Sequence, residues 1–278
     1  MGRLSALIVA LLLTASGAEA GHRVFRVIDG DTLVLGNGDN VRLRGVNSPE
    51  LGEAAADAAT DFARSFAEGR EAELDHGKGV DGQPLPPARD GYGRLLADVV
   101  VDGQSLSEAL VREGHAHVFV IPPTPLDMER RLVELQVQAR RRKKGIWSTP
   151  RFQGALHITS MHADAPGDDR ENLNGEYLRI ANVGTRPAAL GGVTLQNHRG
   201  MRLTFPDATL PVGHTVMVFT GTGEDRLDSA LGPLQVYWRL TEPAWGNRGD
   251  RAILRSARGR IEDDLEFKPK RPFGGRKH

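Results

Sequence analysis

The stretch Val27-Ile28-Asp29-Gly30-Asp31-Thr32-Leu33-Val34-Leu35, followed after Asn37-Gly38 by Val41-Arg42-Leu43-Arg44-Gly45-Val46-Asn47-Ser48-Pro49-Glu50, decides the fold. Asp29-Gly30-Asp31 is a turn-forming run between apolar residues, and Asn37-Gly38 is a second turn signal. Val41, Leu43 and Gly45 alternate with Arg42 and Arg44, as on a half-buried strand. Asn47 to Glu50 reads as a helix N-terminus, with Asn47 or Ser48 as N-cap, Pro49 in the first turn and Glu50 as a capping acid. One short β-region therefore brings Asp31, Arg42 and Glu50 together.

Outward from that stretch, the N-terminal side is a processing signal. Arg3 gives a positive start, Leu4 to Leu13 is apolar, and Ala18-Glu19-Ala20 offers a small-x-small cleavage site, so residues 1–20 read as a signal peptide. The apolar run is shorter than the roughly twenty residues that span a bilayer. Export to a secreted or periplasmic location is the expectation. The chain has no cysteine, which excludes disulfides, thiolate zinc sites and cysteine nucleophiles. Its 36 basic and 36 acidic residues balance, so overall charge favours no partner. Two local exceptions are the five cations Arg140 to Lys144 and the basic, flexible tail over 269–278. By default these are a solvated helix end and a frayed terminus.

On the C-terminal side, the 278 residues suffice for two domains. Strands over Val24–Ile28, Leu33–Leu35 and Val41–Val46 precede a helix within Glu53–Glu68 that stops before Gly69. A strand within Arg70–Leu74, a long Gly/Pro/Asp loop from Asp75 to Gly93, a strand over Leu95–Val101 and helices over Leu106–Glu113 and Asp127–Lys143 follow. The order fits an α+β unit, a five-stranded barrel capped by helices, over 21–150. Residues 151–153 read as a linker, and Trp147 as a core residue. From 154 to 268, short strands punctuated by turns, with no helical period, argue for an all-β sandwich.

Taken singly, Asp31 is a turn residue, Glu50 a cap, Arg42 a surface charge and Arg94 a turn residue. His115 and His117 share one strand face and are a weak metal pair without an evident third ligand. Taken together, Asp29-Gly30-Asp31-Thr32, Arg42 to Glu50, Asp90-Gly91-Tyr92-Gly93-Arg94, Leu106 to Gly114, Gln138-Ala139-Arg140 and Gly145-Ile146-Trp147-Ser148 resemble the staphylococcal-type, thermonuclease-like nuclease family, collinearly over about residues 24–148. That resemblance implies an oligonucleotide/oligosaccharide-binding barrel with three helices. It also implies a Ca²⁺-dependent phosphodiesterase acting on DNA and RNA and leaving 3′-phosphates. Asp31 would bind the metal with Asn47 and Ser48. Glu50 would position or deprotonate the attacking water, Arg42 and Arg94 would meet charge on the phosphate oxygens, and Tyr92 would lie along the nucleotide. Two departures matter. Asn47 stands where the family carries a second Asp, which removes one charge and implies weaker metal binding. Gly91 stands where a cation precedes Tyr-Gly-Arg.

The second half has its own resemblance. Leu173 to Gly184, Leu190 to Leu195, Phe205-Pro206-Asp207 and Trp245-Gly246-Asn247-Arg248-Gly249-Asp250 are similar to a lamin-tail domain, an immunoglobulin-like sandwich, over about 154–267. It implies attachment to a surface or protein partner, or substrate presentation, rather than catalysis. The rival to an active nuclease is a non-catalytic module that grips nucleic acid or protein through a decayed metal site.

Overall fold

The computed structural model describes residues 21–79, 81–121 and 124–268; the expected signal peptide and the basic tail lie outside them. Strands β1 (His22–Asp29), β2 (Thr32–Leu35), β3 (Asn40–Leu43), β4 (Glu71–Asp75) and β5 (Leu95–Val101) run in the order β3-β2-β1-β4-β5. The barrel closes where β5 pairs parallel with β3, Val41 opposite Leu95 and Leu43 opposite Ala97. Closure removes both sheet edges. Register shifts between Val24 and Arg26 and between Val27 and Asp29 bend β1, so that its two ends pair with β4 and β2. Alternation does the rest. Val24, Val27, Leu33, Leu35, Val41, Leu43, Ala97 and Val99 face inward with almost no exposure.

Helices α1 (Ala56–Ala67), α2 (Leu106–Glu113) and α3 (Leu126–Arg141) cap that core through Ala63 and Ala67, Leu106 and Leu110, and Met128 and Leu132. Helix α2 starts on Ser105, whose hydroxyl accepts the Glu108 N–H, and ends on Gly114 in the left-handed region. Helix α1 corrects the expectation at Asn47–Glu50. It begins at Ala56, behind Ala55 at φ 71°, and no side chain caps it. The Asn47 and Ser48 side chains are bound elsewhere, and it is the Glu53 carboxylate that accepts the Glu50 N–H. The long loop also carries more structure than its composition suggests. Ala88 and Arg89 pair with Leu96 and Leu95, making a hairpin with Tyr92 near its tip.

The second half is two stacked sheets. One holds β6 (Leu156–His162), β7 (Tyr177–Asn182), β10 (Thr215–Phe219) and β11 (Leu234–Tyr237); the other holds β8 (Thr194–Gln196), β9 (Arg202–Thr204), β12 (Asp250–Arg255) and β13 (Ile261–Phe267). Leu178, Ile180, Val216, Val218, Leu195 and Leu254 fill the space between them. Thus an all-β sandwich follows an α+β barrel.

The halves meet in a third core of Ala139, Ile146, Trp147, Phe152, Ala181 and Val183. Trp147 is buried there, as expected. The Gln136 amide is fully enclosed: its oxygen accepts the Val118 N–H at 2.7 Å and its nitrogen donates to the Val183 and Gly184 carbonyls at 3.2 and 3.1 Å. Arg140 is no solvated helix end. It donates to the carbonyls of Phe152, Val183, Gln153 and Gly154 and lies 5.0 Å from the Trp147 ring centre. Within the expected linker, Arg151 pairs with Glu53 of the barrel half and Asp263 of the sandwich. Val120 donates to the Gly213 carbonyl, and a Cβ on Gly213 would sit 2.5 Å from Val118. Only glycine permits that approach.

Candidate active site

The site is built where the β1–β2 turn meets the end of β3. Gly30 makes the meeting possible, because a Cβ there would lie 2.7 Å from Ser48 Cβ and 2.8 Å from Ala59 Cβ. With that contact closed, Asp31 Oδ2 accepts the Ser48 N–H at 2.7 Å and its hydroxyl at 3.1 Å. Arg42 Nε stands 3.3 Å from Asp31 Oδ1. The same guanidinium donates from Nη1 to the Leu43 and Val46 carbonyls and from Nη2 to Asn47 Oδ1 at 2.8 Å. Of the five N–H donors a guanidinium has, one on Nη2 is left without a partner among the described residues. Arg42 is held rigidly.

Asp31, Arg42, Asn47 and Ser48 are therefore one network. Asn47 faces Arg42 rather than Asp31, and its amide nitrogen donates to the Ser48 carbonyl at 3.2 Å. Glu50 stands at the rim, exposed, yet the surrounding protein and then the charges of Asp31, Asp29 and Glu53 push its pKa upward, with Arg42 opposing. Burial and then Asp31 raise Asp29 in the same way. These acids repel one another, and a hard cation would relieve that repulsion. The oxygen donors of Asp31, Asn47 and Ser48 suit such an ion in chemistry, but among the described residues no three carboxylate or imidazole groups gather as a ready ligand cluster. The donor set fits Ca²⁺ and is poor in charge.

Arg94 immediately precedes β5, in which Leu95 stands opposite Val41 and Leu96 opposite Arg42, so its backbone lies near the end of β3. Its side chain points into its own turn. Nε and Nη2 reach Asp90 Oδ2 at 2.8 and 2.7 Å, while Asp90 Oδ1 accepts the Tyr92 and Arg94 N–H groups. Burial would raise the Asp90 carboxyl, but the Arg94 hydrogen bonds outweigh it and hold it below the ordinary range. Tyr92 is 74% exposed, with the Arg94 guanidinium 5.4 Å from its ring centre. Asp90 is the residue that single-position reasoning passed over. Its signal was present, an acid four residues before an arginine across a Gly-Tyr-Gly turn.

The two histidines do not form a metal pair. His115 stacks on Phe62 at 4.6 Å, whereas His117 is buried beside His157, Phe119 and Phe152. The His117 Nδ1–H donates to the Val118 carbonyl, and burial lowers its pKa to about 3.

Comparison with known proteins places the chain in a family. Residues 40–149 match the family model described as staphylococcal nuclease homologue. A thermonuclease of Staphylococcus hyicus is 31% identical over 139 residues, which cover 47% of this chain and 77% of that protein. The chain belongs to the staphylococcal nuclease homologue family. Within it, a second thermonuclease, from Staphylococcus intermedius, is 32% identical over 136 residues, 45% of this chain and 75% of that protein. The endonuclease YncB of Bacillus subtilis is 35% identical over 133 residues, 44% of this chain and 59% of that protein. The family barrel is followed by a Lamin Tail Domain, matched over residues 149–268.

Proposed function

We propose that this chain is an exported nuclease that hydrolyses phosphodiester bonds of DNA and RNA with Ca²⁺, leaving 3′-phosphates. The carrying observation is the network in which one buried carboxylate, Asp31, is shared by Ser48 and a rigid Arg42, with Glu50 at its rim and Arg94 in the turn just before the neighbouring strand. Named nuclease and endonuclease relatives support the reading. Export rests on residues 1–20 of the sequence; no helix of the described residues is long and apolar enough to cross a membrane.

Water attacks phosphorus, a P–O bond forms, and the bond to the 5′-oxygen breaks as that oxygen leaves. Glu50 orients the water or takes its proton. Because its pKa is raised, the ionised form it needs is gained only above the ordinary glutamate range, so the rate should climb with pH through that raised value. Negative charge grows on the phosphate oxygens in the transition state, where guanidinium donors gain most. Arg42 has one N–H to give without rearrangement. Arg94 offers a paired edge, Nε and Nη2, once phosphate replaces Asp90 there. Asp31, with the oxygens of Asn47 and Ser48, would hold Ca²⁺, which supplies Lewis-acid polarisation of the phosphate.

Asn47 favours a second reading, a binding module with a weakened metal site, because its amide oxygen is engaged by Arg42. Calcium titration of cleavage by the mature chain tests the two. Calcium-stimulated cleavage abolished by chelator supports the nuclease; an inactive parent whose Asn47→Asp variant cleaves supports decay.

A further inference from the structure

One sheet of the sandwich carries a row of four rings across its strands. His162 on β6, Tyr177 on β7, Phe219 on β10 and Tyr237 on β11 stand opposite one another in register. Their ring centres follow at 4.2, 6.0 and 5.1 Å, and all four are half-buried. The alternate residues Leu178, Val218 and Val236 fill the core, so the rings belong to the outside. His162 with Tyr177 and Phe219 with Tyr237 stack at 18° and 21°.

Two residues along β7 from this row is Arg179. Its guanidinium lies 5.7 Å from the Phe119 ring centre and donates to Met217 Sδ and Thr215 Oγ1 at 3.3 and 3.4 Å. Among the described residues no carboxylate pairs with it, although burial already disfavours its charge. The titratable groups that act on it are phenols, Tyr177 and the barrel hairpin's Tyr92. Phe119 lies two residues beyond His117, which pairs with Asn47 of the candidate active site, so Arg179 stands between that site and the aromatic row. A sheltered cation lacking an anion, between the candidate active site and a ladder of rings, fits a strand of phosphates and bases.

We propose that this sheet face is a binding platform for single-stranded nucleic acid extending from the barrel site, with bases resting on the aromatic row and a backbone phosphate on Arg179. It deepens the nuclease reading, on which the position of the strand rests. Four-stranded sheets with exposed aromatics are suited to such binding, because every base has a π-face and pairing with a partner strand would block it.

The test uses the full mature chain carrying Arg94→Ala to slow turnover, with fluorescein-labelled oligothymidylates of 3 and 12 nucleotides read by anisotropy. The ratio of 12-mer to 3-mer affinity is expected to fall about tenfold in the Tyr177→Leu/Phe219→Leu double variant. In Arg179→Met the slope of log affinity for the 12-mer against log salt should fall by about 0.7, one phosphate contact on a single strand. Should the double variant not fold, the Arg179→Met slope decides. Unchanged ratio and slope, or a parent chain that binds the 12-mer no better than the 3-mer, overturn the platform. The nuclease reading fails separately: a chain with Arg94 intact that cuts nothing in calcium, yet loses 12-mer affinity on these substitutions, keeps the platform and loses the enzyme.

Discussion

The barrel mouth and the seam between the two halves use the same residue types and treat them oppositely. At the seam, Arg140 meets four carbonyls and Gln136 meets an N–H and two carbonyls, so each buried polar group is matched. At the mouth, Asp31 stands close enough to raise the proton affinity of Asp29 and Glu50, and Arg94 is held by a single carboxylate in a hairpin turn. Matched groups stabilise a contact. Charge left in surplus can bind something that is not protein. The contrast separates structure from function without reference to any relative.

The contrast breaks most readily at Arg94. Arg94→Ala should lower kcat about 10²–10³-fold, roughly 3–4 kcal/mol of transition-state stabilisation. It should hardly move the melting temperature, since a partly exposed pair contributes little. A variant that cleaves at the parental rate but melts early would make the mouth structural too. Gln136→Leu should do the reverse, stranding the Val118 N–H and two carbonyls at a cost of about 2–3 kcal/mol, measured by urea unfolding.

Acid should loosen the seam as well. Unfolded His117 takes a proton below about pH 6.5, whereas the ring buried at the seam does so only near pH 3, so stability falls as pH drops between those values. About 2 kcal/mol should be gone by pH 5, seen as a lower melting temperature that His117→Phe makes less pH-dependent. The smallest effect is expected at Asn47→Asp. Restoring one carboxylate should move the calcium midpoint for cleavage down about tenfold, roughly 1.4 kcal/mol, and an unmoved midpoint would remove Asn47 from the metal site.

Much of the fold was legible in order and alternation. The span Leu106–Glu113 closed by Gly114 and the strand Leu95–Val101 coincide with the expected elements, because each carries its own period and its own stop. The start of α1 was misread, since Asn47-Ser48-Pro49-Glu50 has the composition of a cap while its side chains serve Asp31 and Arg42. Competition from a tertiary partner does not appear in local composition. The same reason hid Gln136 and Arg140, which read as one more polar helix position and one more cation.

By itself, the sequence determined the two-part architecture, the barrel order and the residues that could carry phosphodiester chemistry, because periodicity, turn residues and motif spacing are local or collinear properties. Tertiary structure alone decided which of those groups touch. It turned Asn47 toward Arg42, set Asp90 against Arg94, sealed the halves through Gln136, and laid Arg179 of the sandwich against Phe119 of the barrel half. Those are contacts between residues far apart in the chain, and their partners are fixed by how two packed cores meet rather than by any pattern along either one.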